Sequence, residues 1–183
     1  AKGTQTRVEK EIVAGTYERL HNKTLSKVIQ KNLESVGGVI YDARERKFAQ
    51  ELIRATGNPD SINNQAAKVQ PLAAFPKEGS GGSSDVGDVS WVVPLASFGA
   101  ATFVPGSPGH SWQNVAADGT TIGTKGLLNA SRVFALTAVD LFTDAKLLQA
   151  VKDEFKQTVG SDFKYVPLLG DRKPALDYRV TNK

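Results

Sequence analysis

The chain has 183 residues, 40% of them hydrophobic and 23% charged, with a formal net charge of +4; this balance suits a globular core and excludes a disordered tail. Cysteine is absent, which excludes disulfides and thiolate chemistry and leaves His, Asp and Glu as metal donors. No apolar run approaches the roughly 20 residues of a bilayer crossing and no export-signal pattern opens the chain, so a cytoplasmic protein without a membrane partner is expected.

Acids and bases alternate, as in Glu9, Lys10, Glu11 and in Arg44, Glu45, Arg46, Lys47. A nucleic-acid reader would carry a dense basic stripe with interleaved aromatics, so these positions read as solvated faces and no nucleic-acid partner is expected. Methionine is missing, position 1 included, which reads as a trimmed or processed product.

In chain order, residues 5–19 are rich in β-branched types and partly alternate polar with apolar, predicting a long, half-exposed edge strand. Leu25, Val28, Ile29, Leu33 and Val36 fall at helical spacing over 24–36, with Asn22 or Thr24 as N-cap and Gly37 as stop. Val39, Ile40 and Tyr41 suggest a short strand. Residues 43–56 read as a second helix with Phe48, Leu52 and Ile53 inward, ended by Gly57, Asn58 and Pro59.

From 58 to 90 the composition shifts to Asn, Gln, Pro, Gly and Ser, predicting long irregular loops. Residues 89–93 read as a short apolar element and 97–104 as a buried strand, separated by Pro94. A turn-rich stretch, Pro105-Gly-Ser-Pro-Gly109, leads into His110. Residues 121–142 are apolar around most of a helical circumference and are expected to be buried as a core element. Residues 144–158 form an amphipathic helix capped by Thr143 or Asp144, with Leu147, Leu148, Val151 and Phe155 inward. The tail from Gly160 is basic and irregular. The order of strands and helices predicts an α/β fold without internal repeats.

His110 is the sharpest candidate for chemistry. Two prolines and two glycines brace the turn before it, which suits an imidazole aimed rigidly at a metal, although a hydrogen-bonded surface histidine fits the same position. A metal centre needs three or four protein donors, and neither a His-Glu-x-x-His nor a His-x-Asp spacing occurs. His21, the other histidine, sits at an element boundary and reads as a cap neighbour.

The run Gly79-Ser-Gly-Gly-Ser-Ser-Asp-Val-Gly-Asp88 lacks the Lys-Ser/Thr pair of a phosphate loop, which argues against nucleotide binding. Its exposed N–H groups and hydroxyls suit a carboxylate, with a flexible polar linker as the plain alternative. A serine-hydrolase reading fails for want of a Gly-x-Ser-x-Gly elbow.

At Gly82-Ser-Ser-Asp-Val-Gly-Asp-Val-Ser-Trp-Val-Val-Pro94 and Pro105-Gly-Ser-Pro-Gly-His-Ser-Trp112, the chain resembles the aminoacylase/carboxypeptidase family of metal-dependent amidohydrolases, and within it the aminobenzoyl-glutamate branch. The resemblance extends back through Asn22-Lys-Thr-Leu25 and forward through the apolar helix, over roughly residues 5–160. It implies a two-domain di-metal hydrolase of N-acyl amino acids, using zinc or manganese, of which this chain is a C-terminal fragment. Residues 1–41 would be the closing strand and helix of the lid, through which the enzyme forms a homodimer, and residues 42–183 part of the catalytic α/β domain.

On the same resemblance, His110 matches the last metal ligand. Gly82, Ser83, Ser84 and Asp85 match the loop near the substrate carboxylate, with backbone N–H groups and hydroxyls as the contacts, while the carboxylates of Asp85 and Asp88 are first assigned to bracing that loop. The family's His-x-Asp motif, bridging carboxylate and general-base Glu have no counterpart here. The fragment alone is therefore expected to be inactive, to contain no catalytic base, and to need the upstream half of the same enzyme as partner. A non-catalytic binding or dimerisation module built on the edge strand is the alternative.

Overall fold

In a computed structural model, the residues described are 1–54, 65–73 and 84–173, with Leu176 and Arg179. Helices make up 51% of them and no strand occurs among them, which overturns the expected α/β fold. The alternation at residues 5–19 gives chain without regular structure, with Val8, Ile12 and Val13 exposed. Alternation specifies a half-buried extended backbone, but a strand also needs a neighbour for its N–H and C=O groups. Among the described residues none supplies that ladder, and the segments predicted as strands at 39–41 and 97–104 likewise form no strand, the single Val39 N–H bond to the Ala66 carbonyl at 2.7 Å not extending into a ladder.

Helix α1 spans Lys23–Val36, with Asn22 as its N-cap accepting from the Leu25 N–H at 2.8 Å and the Gly37 N–H closing on the Leu33 carbonyl at 2.8 Å. Helix α2 spans Ala43–Arg54 and α3 Val86–Ser90. Helix α4, Trp112–Asp118, was not anticipated. Helix α5 spans Thr121–Thr143 and α6 Ala145–Val159, separated by Asp144, whose carboxylate accepts from the N–H groups of Lys146 and Leu147.

Polar side chains make the joints between helices. Asn22 is buried; its amide also donates to the Val151 carbonyl of α6 at 2.9 Å, and its own N–H donates to the Leu95 carbonyl. Glu154 of α6 accepts from the N–H groups of Lys23 and Thr24 at 2.6 and 2.8 Å, placing a carboxylate at the first turn of α1, where the helix dipole favours it. Burial would raise the Glu154 pKa, but those N–H bonds and the nearby Lys23 outweigh it and hold the group below its ordinary value.

Across the α1–α5 contact, the Asn32 amide donates to Thr137 Oγ1 at 3.1 Å and to Asp140 Oδ2 at 2.9 Å. The Asn129 amide donates to the Gly37 carbonyl at 2.8 Å. At Gly126 the chain crosses α5 so closely that a Cβ would lie 2.6 Å from the Ala101 carbonyl oxygen; only glycine admits this approach.

The principal apolar cluster joins Val39, Tyr41, Ala49, Leu52, Ile53, Ala66, Val104, Ala117 and Ile122. Burial pushes the Tyr41 hydroxyl up to about 12, with the Glu45 charge adding to it. Glu45 closes a reciprocal box at the start of α2. It accepts from the Asp42 N–H while its own N–H donates to Asp42 Oδ1, both at 2.8 Å. Its carboxylate also receives Lys125 Nζ and Thr121 Oγ1 at 2.6 Å each, tying α2 to α5. Burial opposes its ionisation, yet these bonds prevail and its pKa is lowered.

Contrary to expectation, α5 is not buried all round. It buries Ile122, Gly123, Gly126, Asn129, Val133 and Thr137 and turns Leu127, Leu128, Phe134, Val139 and Phe142 outward. An evenly apolar helix has no preferred face of its own; here small and hydrogen-bonding residues decide which side meets α1.

Two outcomes test these joints. Asn22→Ala loses a cap and a buried inter-helix bond and is expected to lower unfolding stability by about 2 kcal/mol in urea titration. Because the folded-state pKa of Glu45 lies below its ordinary 4.5, its stabilisation is complete above that value and disappears as pH falls through the folded value. Glu45→Gln should therefore cost about 2 kcal/mol at pH 7 and flatten the loss of stability in acid.

Candidate functional site

The turn at residues 104–111 sets His110. The Ser107 N–H returns to the Val104 carbonyl at 3.1 Å, and Ser111 Oγ donates to the Pro108 carbonyl at 2.7 Å. Val104 is buried, whereas His110 is exposed. Its backbone sits at φ 52°, a left-handed conformation that costs a side-chain-bearing residue roughly 1 kcal/mol. The imidazole has no hydrogen bond or ion pair among the described residues, and so is held by backbone alone. Three and four residues away in the chain, Ser107 Oγ and Asn114 Oδ1 are buried with no hydrogen-bond partner among the described residues, an uncommon condition for buried oxygens.

Of the serine-rich turn, Gly82 and Ser83 lie outside the described residues. Ser84 and Asp85 are exposed just before α3. Ser84 Oγ donates to Asp85 Oδ1 at 3.2 Å and accepts from the Val86 N–H at 3.3 Å. Asp88 accepts from the Tyr165 hydroxyl at 2.8 Å, so it braces the loop, and this bond to the carboxylate holds the Tyr165 phenol above its usual pKa.

Behind the turn, a Cβ on Gly87 would lie within 1.9 Å of the Tyr17 carbonyl oxygen, so α3 sits directly on the N-terminal segment. Ser90 Oγ accepts from the Leu20 N–H at 2.8 Å and the Trp91 indole donates to the Glu18 carbonyl at 2.7 Å. Tyr17, Trp91, Phe163 and Tyr165 pack in tilted and edge-on pairs at centroid distances of 4.7 to 6.1 Å. The tail, which carried no function in the sequence, thus clamps the serine turn to residues 17–20.

A separate cleft of about 440 Å³ opens between α1, α5 and residues 65–73, lined by His21, Leu33, Lys68, Phe98 and Asn129 among others. Its size suits a small molecule. Burial, and then the neighbouring Arg19, lower the His21 pKa. His110, Ser84 and Asp85 do not line it. Sequence reasoning missed this cleft because its walls come from four stretches far apart in the chain, residues 21–39, 65–73, 97–101 and Asn129.

The metal expectation can be set against the donor set. No group of three or more His, Asp or Glu side chains that could hold a metal ion occurs among the described residues. His110 by itself cannot hold a metal pair, and the residues present do not form a complete centre. No helix among the described residues is long and apolar enough to cross a membrane.

The geometry defines a protein that offers one exposed imidazole on a backbone-fixed turn and a braced polar turn, without an assembled metal centre among the described residues, and comparison links it to a hydrolase. The chain is similar to one of the subunits of the p-aminobenzoyl-glutamate hydrolase of Escherichia coli (strain K12), at 30% identity over 195 residues that take in 94% of this chain and 40% of that protein. The resemblance read from the two motifs is thereby supported by a match along nearly the whole chain. No family model matches, and no solved structure does.

The strain at His110 gives a direct test. His110→Gly should raise stability by up to about 1 kcal/mol in thermal or urea unfolding, since glycine adopts positive φ freely; a loss of stability would mean that the ring makes contacts absent from this arrangement.

Proposed function

We propose that the chain is one portion of a metal-dependent amidohydrolase that cleaves the amide bond of N-acyl amino acids, with aminobenzoyl-glutamate or a similar acyl-glutamate as substrate. The observation that carries this reading is the similarity, over 94% of the chain, to a p-aminobenzoyl-glutamate hydrolase polypeptide. The chain spans only 40% of that relative, and the donors among its described residues do not complete a metal centre. The reading therefore assigns the chain a contributing role, inactive without the upstream half of the same enzyme.

Within that assembly His110 supplies one ligand to zinc or manganese, and the exposed, unpaired state of its ring on a stiff turn supports the assignment. Ser84 and Asp85, with Gly82 and Ser83 beyond the described residues, face the substrate carboxylate through hydroxyl and N–H groups. Residues 1–41 close a lid that also carries a homodimer contact, residues 42–183 belong to the catalytic part, and the enzyme works in the cytoplasm.

The test is hydrolysis of aminobenzoyl-glutamate by the chain combined with its upstream half, with zinc or manganese supplied. His110→Ala should lower kcat/KM at least about a hundredfold and reduce the bound metal, whereas Ser84→Ala should act chiefly on KM. Full activity and full metal content in His110→Ala would overturn the ligand assignment.

A further inference from the structure

Past Gly160, where α6 stops, residues 161–173 form neither helix nor strand, yet they are tied at successive points to the N-terminal segment and to α3. Phe163 packs on Trp91 at 4.7 Å between centroids and edge-on to Tyr17 at 6.1 Å. The Tyr165 hydroxyl donates to Asp88 Oδ1 at 2.8 Å, and the Tyr17 hydroxyl donates to the Val166 carbonyl at 3.0 Å. Further on, a Cβ on Gly15 would lie 3.1 Å from Leu168 Cβ, and Arg172 donates to the Ile12 carbonyl at 2.6 Å while pairing with Glu11. Residues 163–172 thus run along residues 11–17 in the opposite direction.

Helix α3 depends on anchors of this kind. It has five residues and no side-chain bond at its N-cap Asp85, and so short a helix does not repay the cost of its own nucleation. Residues 17–20 hold it through the close seat of Gly87 on the Tyr17 carbonyl, through Ser90 and through the Trp91 indole. The tail adds the Tyr165 bond to Asp88, which falls about one helical turn from Ser84 and Asp85. What holds Asp88 therefore holds the serine turn. The exposed pair of Glu11 and Arg172 contributes little, so the aromatic rings and the two phenol hydrogen bonds carry the fastening.

We infer that residues 160–172 are a strap that sets the serine turn, and that Tyr165, acting through Asp88, is a positioning residue for recognition of the substrate carboxylate. Tyr165 touches no reacting group; it holds Ser84 and the chain beside it in place. A binding turn that is ordered beforehand loses less freedom when the ligand arrives, so the strap acts on substrate capture rather than on bond cleavage. The inference rests on the reading that the serine turn faces the carboxylate of an acyl-glutamate, but its first test makes no use of hydrolysis.

Amide hydrogen exchange in the isolated chain reads the strap at Gly87, Val89 and Trp91, whose N–H groups bond back to Ser84, Asp85 and Asp88. Tyr165→Phe keeps the ring and removes the bond, so exchange there should speed about fivefold, with α1 and α6 unchanged as the check on folding. Asp88→Ala should do the same, and the two together no more than either alone. Asp88→Asn, which keeps an acceptor, should exchange at nearly the parent rate, and removal of residues 161–183 should speed exchange further. With the upstream half and zinc or manganese supplied, Tyr165→Phe should raise KM for aminobenzoyl-glutamate about fivefold and leave kcat within about twofold. Unchanged exchange in both single variants would overturn the strap, as would additive effects in the double variant. A loss of kcat at constant KM would overturn the positioning role. Faster exchange in the variants, alongside an assembly that does not hydrolyse acyl-glutamate, would sustain the strap while counting against the proposed function.

Discussion

The orientation of α5 is the constraint from which the rest of the arrangement follows. Its inward side joins Ile122 and Val133 to small and polar residues, with Gly126, Asn129 and Thr137 against α1 and the 100–104 segment and Gly123 against Asp118 at the end of α4, while most of its bulky apolar residues face out. Two buried amides hold it so: Asn32 on Thr137 and Asp140, and Asn129 on the Gly37 carbonyl. Rotating α5 by half a turn would bury its aromatics but leave both amides unpaired and drive side chains into the backbone at residues 101 and 102. Unsatisfied buried polar groups cost about 1–3 kcal/mol each, and a backbone collision has no local remedy.

With α5 fixed, the other pieces take their places. Lys125 and Thr121 near its start fix Glu45, which sets α2 beneath the apolar cluster. The short link at Asp144 returns the chain into α6, whose Glu154 and Val151 carbonyl hold the beginning of α1. The close passage at Gly126 locates residues 101–104 and so the turn that carries His110. That turn and the serine turn are held by different anchors, one by the helical group and the other by the Tyr17, Trp91, Phe163 and Tyr165 cluster.

Helices with one apolar side and clear end signals were legible in the sequence. Asn22 and Gly37 bound α1, and Asp144 starts α6 as its spacing implied. The extent of α5 was legible too, but its facing was not, because a nearly uniform apolar circumference carries no direction and the deciding contacts come from α1. Residues 5–19 and 97–104 were misread as strands because alternation reports local backbone preference while pairing depends on distant chain. Helix α4 escaped because it buries Gln113 and Asn114, which leaves no apolar period to detect. His110 stood out through the prolines and glycines around it, and it is indeed presented to solvent. The aromatic clamp did not, since its members are more than 140 residues apart in the chain at the extremes.

The facing of α5 can be measured directly, because a chain without cysteine accepts single reporter thiols. In separate variants of the isolated chain, cysteine at positions 127, 134 and 142 should react with a maleimide at rates near those of an unfolded control, and cysteine at 133 and 137 far more slowly. Fast reaction at 133 and 137 with protection at 134 and 142 would show the helix turned the other way and would contradict the account.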